Sequence, residues 1–81
     1  MTDRNLVCAI IDLAMFLEQS DDQTVDADAA VNALENLAAH LQAMDNEVKN
    51  QFAKTLLELA PTYGQHSPFV EEFASNFGLQ D

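Results

Sequence analysis

The stretch SDDQTVDADAA, residues 20–30, holds four aspartates between Asp21 and Asp28, which makes it a dense group of potential metal ligands. Carboxylates at short spacing can bind a hard cation such as Ca²⁺. A calcium-binding EF-hand loop needs alternating ligands, a central glycine and a glutamate at its last position. This stretch has no glycine, and its carboxylates are spaced differently. We therefore predict no metal site.

The other side chains that could do chemistry are scattered along the chain. Cys8 lies in an apolar segment, where a small packing role is expected. His40 falls between the two faces of a predicted helix, and His66 lies in a predicted loop with Tyr63 and Ser67. Catalysis needs a nucleophile, an acid–base pair, a metal or a cofactor in suitable geometry. The spacing of these residues indicates none of them, so we predict no enzyme, no catalytic residue and no cofactor.

The charge balance is the strongest global property of the chain. Fourteen acidic residues oppose three basic ones, and the formal net charge is −11. Binding to phosphate requires Lys and Arg, so the composition disfavours nucleic acids and anionic membranes as partners. A basic protein surface, in contrast, is attracted over long range. The acidity favours a protein partner, although plain solubility is the alternative explanation.

Length and cysteine content indicate one small domain in a reducing compartment. The 81 residues are expected to form a single helical domain, 1–81. The one cysteine excludes an internal disulfide, which is typical of the cytoplasm. The apolar stretch near the N-terminus is interrupted by Asp12 and lacks a basic flank, so we expect neither a signal peptide nor a membrane span.

Apolar residues recur with a helical period along the whole chain. Four helices are predicted, over about 3–19, 27–44, 46–60 and 68–77. Asp26, Asp45 and Ser67 are expected to cap the last three, while Pro61 and Gly78 end the third and the fourth. The very short joint between the second and third helices predicts an antiparallel hairpin. We therefore expect an all-α fold, a compact antiparallel four-helix bundle whose last helix is short.

The first predicted helix is apolar over an unusually wide arc. Its expected core stripe consists of Leu6, Ile10, Leu13 and Leu17. Further apolar residues widen the stripe on both sides: Val7, Ile11, Ala14, Ala9 and Phe16. This arc exceeds that of a usual surface helix, so the helix is either central or part of an interface. A homodimer is therefore one hypothesis, and the exposed-looking Leu57 of the third helix supports it.

Only part of the acidic stretch has a structural explanation. Asp26 precedes the second helix as its cap, and Asp28 lies in the first turn, where the helix dipole favours negative charge. Asp21 and Asp22 have no such explanation. We predict an acidic partner-binding surface made of Glu18, Asp21, Asp22, Asp28, Asn32 and Glu35. Its expected partner is a basic cleft, as found in enzymes that handle nucleotides or nucleic acids.

The segment VDADAAVNALENLAAHLQAMDNEVKNQFAKTLLELA, residues 25–60, resembles small acidic helical immunity proteins that are encoded beside bacterial secreted toxins. The resemblance lies in a capped, Ala/Leu-rich helix followed by a second helix. It implies an inhibitor that binds its cognate toxin in the cytoplasm of a bacterium. The toxin would be a nuclease, an NAD-consuming enzyme or a nucleotide-phosphorylating enzyme. No individual functional residue is carried over.

Two further hypotheses share the same composition. A phage-encoded inhibitor that mimics DNA would block a bacterial defence complex, and it requires carboxylates at phosphate-like spacing along one face. A small homodimeric structural or regulatory protein would use the apolar arc of the first helix. The acidic runs are local in the sequence, which favours the toxin inhibitor over the DNA mimic.

Overall fold

The computed structural model describes residues 3–21 and 23–79. Within these residues the regular secondary structure is entirely helical, which confirms the all-α prediction. The elements in chain order are α1 (Arg4–Gln19), α2 (Ala27–Gln42), α3 (Asn46–Leu59), a 3-10 segment (Ala60–His66) and α4 (Ser67–Asn76).

Aspartate side chains begin the first two helices. Asp3 accepts a hydrogen bond from the backbone amide of Asn5 at 2.8 Å, and Asp26 accepts one from Ala29 at 3.1 Å. Each bond satisfies an amide that has no partner within its helix. Asp45 also precedes its helix, but its side chain makes no capping hydrogen bond. The predicted cap is therefore confirmed at Asp26, whereas at Asp45 only the position is right.

The segment after α3 is more ordered than the predicted loop. Pro61 follows the end of α3, and the chain continues as a 3-10 segment interrupted at Gly64, where φ is 55° and ψ is −121°. This backbone conformation strongly favours glycine. The hydroxyl of Ser67 donates to the carbonyl of Ala60, and Ser67 is itself the first residue of α4. The prediction that Ser67 caps α4 is therefore wrong, because its hydroxyl closes the preceding turn.

Gly78 ends α4 as predicted. Its φ of 71° lies in the left-handed region. The amide of Gly78 donates to the carbonyl of Ser75 at 3.2 Å. The amide of Leu79 donates to the carbonyl of Ala74 at 2.8 Å. This pair of bonds is a Schellman motif, which returns the chain toward the helix it has just left. Leu79 is consequently buried in the core.

The core is centred on the aromatic ring of Phe73. That ring lies 4.2 Å from the stacked ring of Phe77 and 5.9 Å from the edge-on ring of Phe69, measured between centroids. The ring of Phe52, from α3, lies 6.1 Å away. The other fully buried large side chains come from α1, α3 and α4: Val7, Ile11, Leu56 and Val70. The main core therefore joins these three helices.

The helices do not confirm the predicted bundle. α1 packs against α2 and α3, and α4 packs against α3 and the 3-10 segment. Among the described residues, α2 and α3 are in marginal contact at most, so the predicted antiparallel hairpin is not formed. The reason is that α2 turns its apolar side to α1, and only Ala30 and Leu41 of α2 are buried.

α1 turns a different face to the core from the one predicted. Val7, Ile11 and Ala14 are fully buried, whereas Leu6 and Leu13 are 60% and 56% exposed. The apolar arc of α1 is wide enough that periodicity alone cannot choose between these faces. None of the helices in residues 3–21 and 23–79 combines the length and the apolar character needed to cross a membrane.

Candidate partner-binding surface

Five of the six predicted partner-binding residues lie in the part of the chain that the structure describes, and all five are exposed. Glu18 lies in the last turn of α1, Asp21 lies in the loop that follows, and the others lie on α2: Asp28, Asn32 and Glu35. Asp22 lies outside the described residues. We call the five described residues the acidic edge.

On α2 the acidic edge is one continuous strip. Asp28, Asn32 and Glu35 follow each other at helical spacings of four and three residues, so their side chains are neighbours on one face. Val31 lies beside this strip and is 52% exposed. An exposed β-branched side chain among polar neighbours provides an apolar contact point for a partner.

Two grooves connect α1 with α2 at the acidic edge. The first has a volume of about 280 Å³, and Glu18 and Glu35 both line it, one from each helix. Its remaining lining is mostly apolar: Val31, Leu34, Ala38, Asn76 and Phe77. The second groove, of about 300 Å³, shares Glu18, Val31 and Leu34 with the first and continues toward Val25. Val31 therefore lies in the lining of both grooves, with carboxylates beside it.

Asp21 has a structural role that we did not predict. Its carboxylate accepts a hydrogen bond from the backbone amide of Thr24 at 2.9 Å, and its carbonyl accepts from the amide of Val25 at 3.0 Å. The hydrogen bonds from Thr24 lower the pKa of the Asp21 carboxyl below its ordinary value. The side chain is thus held as an anion in the turn that leads to α2. The direct contact of Asp21 with a partner stays a prediction.

Positive charge lies away from the acidic edge. Neither of its two grooves is lined by a described Lys or Arg residue. Arg4 lies at the opposite end of α1 and pairs with Glu58 at 3.3 Å, and both side chains are about half exposed. Such a surface pair contributes little to stability. The potential at the edge is therefore set by its carboxylates and not by neighbouring ion pairs.

A second polar cluster joins α1 to the 3-10 segment. The hydroxyl of Tyr63 donates to the Oδ1 atom of Asp12 at 3.0 Å. Burial raises the pKa of the Tyr63 phenol above its ordinary value, and the neighbouring Cys8 and Asp12 raise it further. The phenol is therefore a protonated hydrogen-bond donor at neutral pH. Because the two residues are 51 positions apart, no local sequence signal could have indicated this contact.

Within residues 3–21 and 23–79, no group of three or more His, Cys, Asp and Glu side chains could hold a metal ion. Every buried side-chain nitrogen or oxygen atom in the same ranges has a hydrogen-bond partner. What the acidic edge offers is fixed negative charge around an apolar groove, an arrangement suited to binding a protein.

Comparisons with known proteins provide no relative: no family model, curated protein or solved structure matches this chain.

Proposed function

We propose that this protein is an inhibitor of the immunity type, whose acidic edge occupies the basic cleft of a bacterial toxin enzyme that acts on a nucleotide or nucleic-acid substrate. The observation that supports this proposal is the groove lined by Glu18 and Glu35 with the exposed Val31 beside them. The two carboxylates come from different helices, so their relative position is fixed by the packing of α1 on α2.

The chemistry of inhibition follows from what such a cleft must bind. An enzyme that handles phosphate groups presents Lys and Arg side chains to them. The carboxylates of the acidic edge compete for those side chains, and their negative field accelerates the encounter. Val31 adds apolar contact at the centre of a polar rim, which resembles the general anatomy of protein interfaces. Occlusion of the cleft requires no catalytic group in the inhibitor.

The proposal is tested by growth protection. The chain is co-expressed in bacteria with toxin domains of three classes: nucleases, NAD-consuming enzymes and nucleotide-phosphorylating enzymes. We expect growth to be restored with a toxin of one class. A Glu18→Lys/Glu35→Lys variant should lose protection, because the cleft then meets like charge.

The matched control is the Glu71→Lys/Glu72→Lys variant. These two glutamates are exposed on α4, and their reversal changes the net charge by the same amount. The control should protect as well as the native chain. If both double variants protect equally, the acidic edge is not the binding surface. If all three toxin classes kill despite the native chain, the immunity function itself is contradicted.

A further inference from the structure

The solvent side of α1 carries a second apolar face, distinct from the one that is buried. It consists of four exposed residues, which we call the outer seam: Leu6, Ala9, Leu13 and Phe16. Their spacings are three, four and three residues, which is the alternation of core positions in a coiled coil. The face turned to the core carries Val7, Ile11 and Ala14 instead. α1 therefore has two apolar faces, one buried in the core and one exposed.

We infer that the outer seam binds a second copy of this chain, with the two α1 helices antiparallel about a two-fold axis level with Ile11. The seam is symmetric about that level. Leu6 of one copy then lies opposite Phe16 of the other, and Ala9 lies opposite Leu13. Pairing a small residue with a large one lets the helices approach closely, and each pair occurs twice, as an isologous interface requires.

Charge favours a second copy over a partner of opposite sign. The outer seam contains no Asp, Glu, Lys or Arg, although the chain as a whole has a net charge of −11. A partner selected by charge would need carboxylates along the seam. The flanking polar positions Asn5 and Gln19, near the two ends of the seam, are uncharged. Asp12 is the charged flank, and it accepts the hydrogen bond from Tyr63. It lies one residue from the proposed axis, so the two Asp12 carboxylates approach each other and contribute to the repulsion that salt screens.

The apolar area that the outer seam can bury limits the affinity of the dimer. Leu6, Leu13 and Phe16 are 60%, 56% and 50% exposed. Each can contribute roughly 100 Å², and with the flanks the dimer buries roughly 1,000 Å² in total, near the lower limit for specific interfaces. The two acidic copies also repel each other. We therefore expect a reversible dimer with a Kd on the order of 10 µM, which strengthens as salt screens the repulsion.

The oligomeric state of the intact protein tests this inference. Sedimentation equilibrium is measured from about 1 µM to about 1 mM, at low and high salt, for the native chain and for Leu13→Asn. The matched control is Leu57→Asn, because Leu57 is 55% exposed on α3 while Leu13 is 56% exposed. Native protein and control should dimerise, more tightly at high salt. Leu13→Asn should weaken the dimer by about tenfold or more.

Three results would overturn the inference. The first is a native chain that stays monomeric over the whole concentration range, which would leave the seam to a different protein. The second is an equal loss of dimer in the two variants. The third is a dimer that weakens as salt rises, since charge attraction would then hold it.

Cross-linking tests the antiparallel arrangement separately. In a Cys8→Ser background, the Ala9→Cys and Leu13→Cys variants are oxidised alone and as a mixture. The antiparallel pairing predicts that Ala9→Cys cross-links to Leu13→Cys in the mixture more than either variant cross-links to itself. Preferential self-linking of Ala9→Cys would indicate a parallel pair and contradict the proposed axis. Binding through the acidic edge weakens with salt, so the two proposals can fail independently.

Discussion

The side-chain amide of Gln42 donates a hydrogen bond from Nε2 to the backbone carbonyl of Phe77 over 2.8 Å. The last residue of α2 is thereby tied to the residue that follows α4, 35 positions further along the chain. Phe77 stacks on Phe73 in the core and also lines the groove of the acidic edge. The contact therefore connects α2, which has few buried residues, to the aromatic core and to the proposed binding surface.

This relationship predicts a strong effect of Gly78→Ala. Gly78 has a φ of 71°, and a Cβ atom there would lie 2.7 Å from Nε2 of Gln42. The left-handed conformation alone costs roughly 1–2 kcal/mol for a residue other than glycine. The amide of Gln42 is the flexible end of its side chain and can move aside, but it then loses its hydrogen bond to Phe77. Urea unfolding followed by circular dichroism measures the change in the free energy of unfolding.

The clash can be separated from the backbone effect in a Gln42→Ala background. Removal of the long side chain opens the space, so Gly78→Ala should then cost less, with a coupling of about 0.5 kcal/mol or more. If the two substitutions change the free energy of unfolding additively, the side chain of Gln42 does not interact with a Cβ atom at position 78.

The burial of three leucines predicts how much each replacement by Ala lowers the free energy of unfolding. Leu56 is 1% exposed and Leu57 is 55% exposed, while Leu34 is half-buried. Replacement by Ala should cost about 2–5 kcal/mol at Leu56 and less than about 0.5 kcal/mol at Leu57. Leu34→Ala should fall between them, since much of its surface already meets water. Thermal and urea unfolding of the three variants measure these costs, and a Leu57→Ala variant as unstable as Leu56→Ala would contradict the packing of α3.

Alkaline pH should weaken the fold through Tyr63. Burial, assisted by Cys8 and Asp12, raises the pKa of the phenol in the folded state above its ordinary value of about 10. The unfolded chain therefore loses the proton at a lower pH than the folded chain. The stabilisation is complete below about pH 10, and it is lost progressively as pH rises from there toward the folded pKa.

The titration of Tyr63 can be observed directly. It is the one tyrosine in the chain, and there is no tryptophan, so the ultraviolet absorbance of tyrosinate reports on it alone. We expect its midpoint above that of the urea-unfolded protein. Tyr63→Phe should remove this source of alkaline destabilisation. A folded midpoint equal to the unfolded one would refute the partial burial of the phenol and its hydrogen bond to Asp12.

The helices were predictable because their signals are local. Asp26 before α2, Pro61 after α3 and Gly78 after α4 act within a few residues of their own positions. The packing was less predictable. Leu13 and Ile11 lie on the same wide apolar arc, and only the positions of α2 and α3 decide that Ile11 is buried and Leu13 exposed.

The same limit applies to the candidate site. Helical spacing alone places Asp28, Asn32 and Glu35 on one strip, because the three residues belong to a single helix. Glu18 and Glu35 line the same groove because of the way α1 packs against α2. The sequence pattern does not specify this packing. The hydrogen bond between Asp21 and Thr24 is local, and an aspartate three residues before a threonine amide is a recognisable turn signal.

We propose that the acidic edge steers this protein into a basic cleft. The most direct test is the association rate with whichever toxin domain the growth assay identifies, measured by stopped flow at increasing ionic strength. The native chain and the Glu71→Lys/Glu72→Lys control should associate rapidly, with rates that fall as salt rises. Glu18→Lys/Glu35→Lys should associate about tenfold more slowly at low salt and depend less on salt. Equal rates for the two double variants, which carry the same net charge, would show that the acidic edge does not steer the encounter.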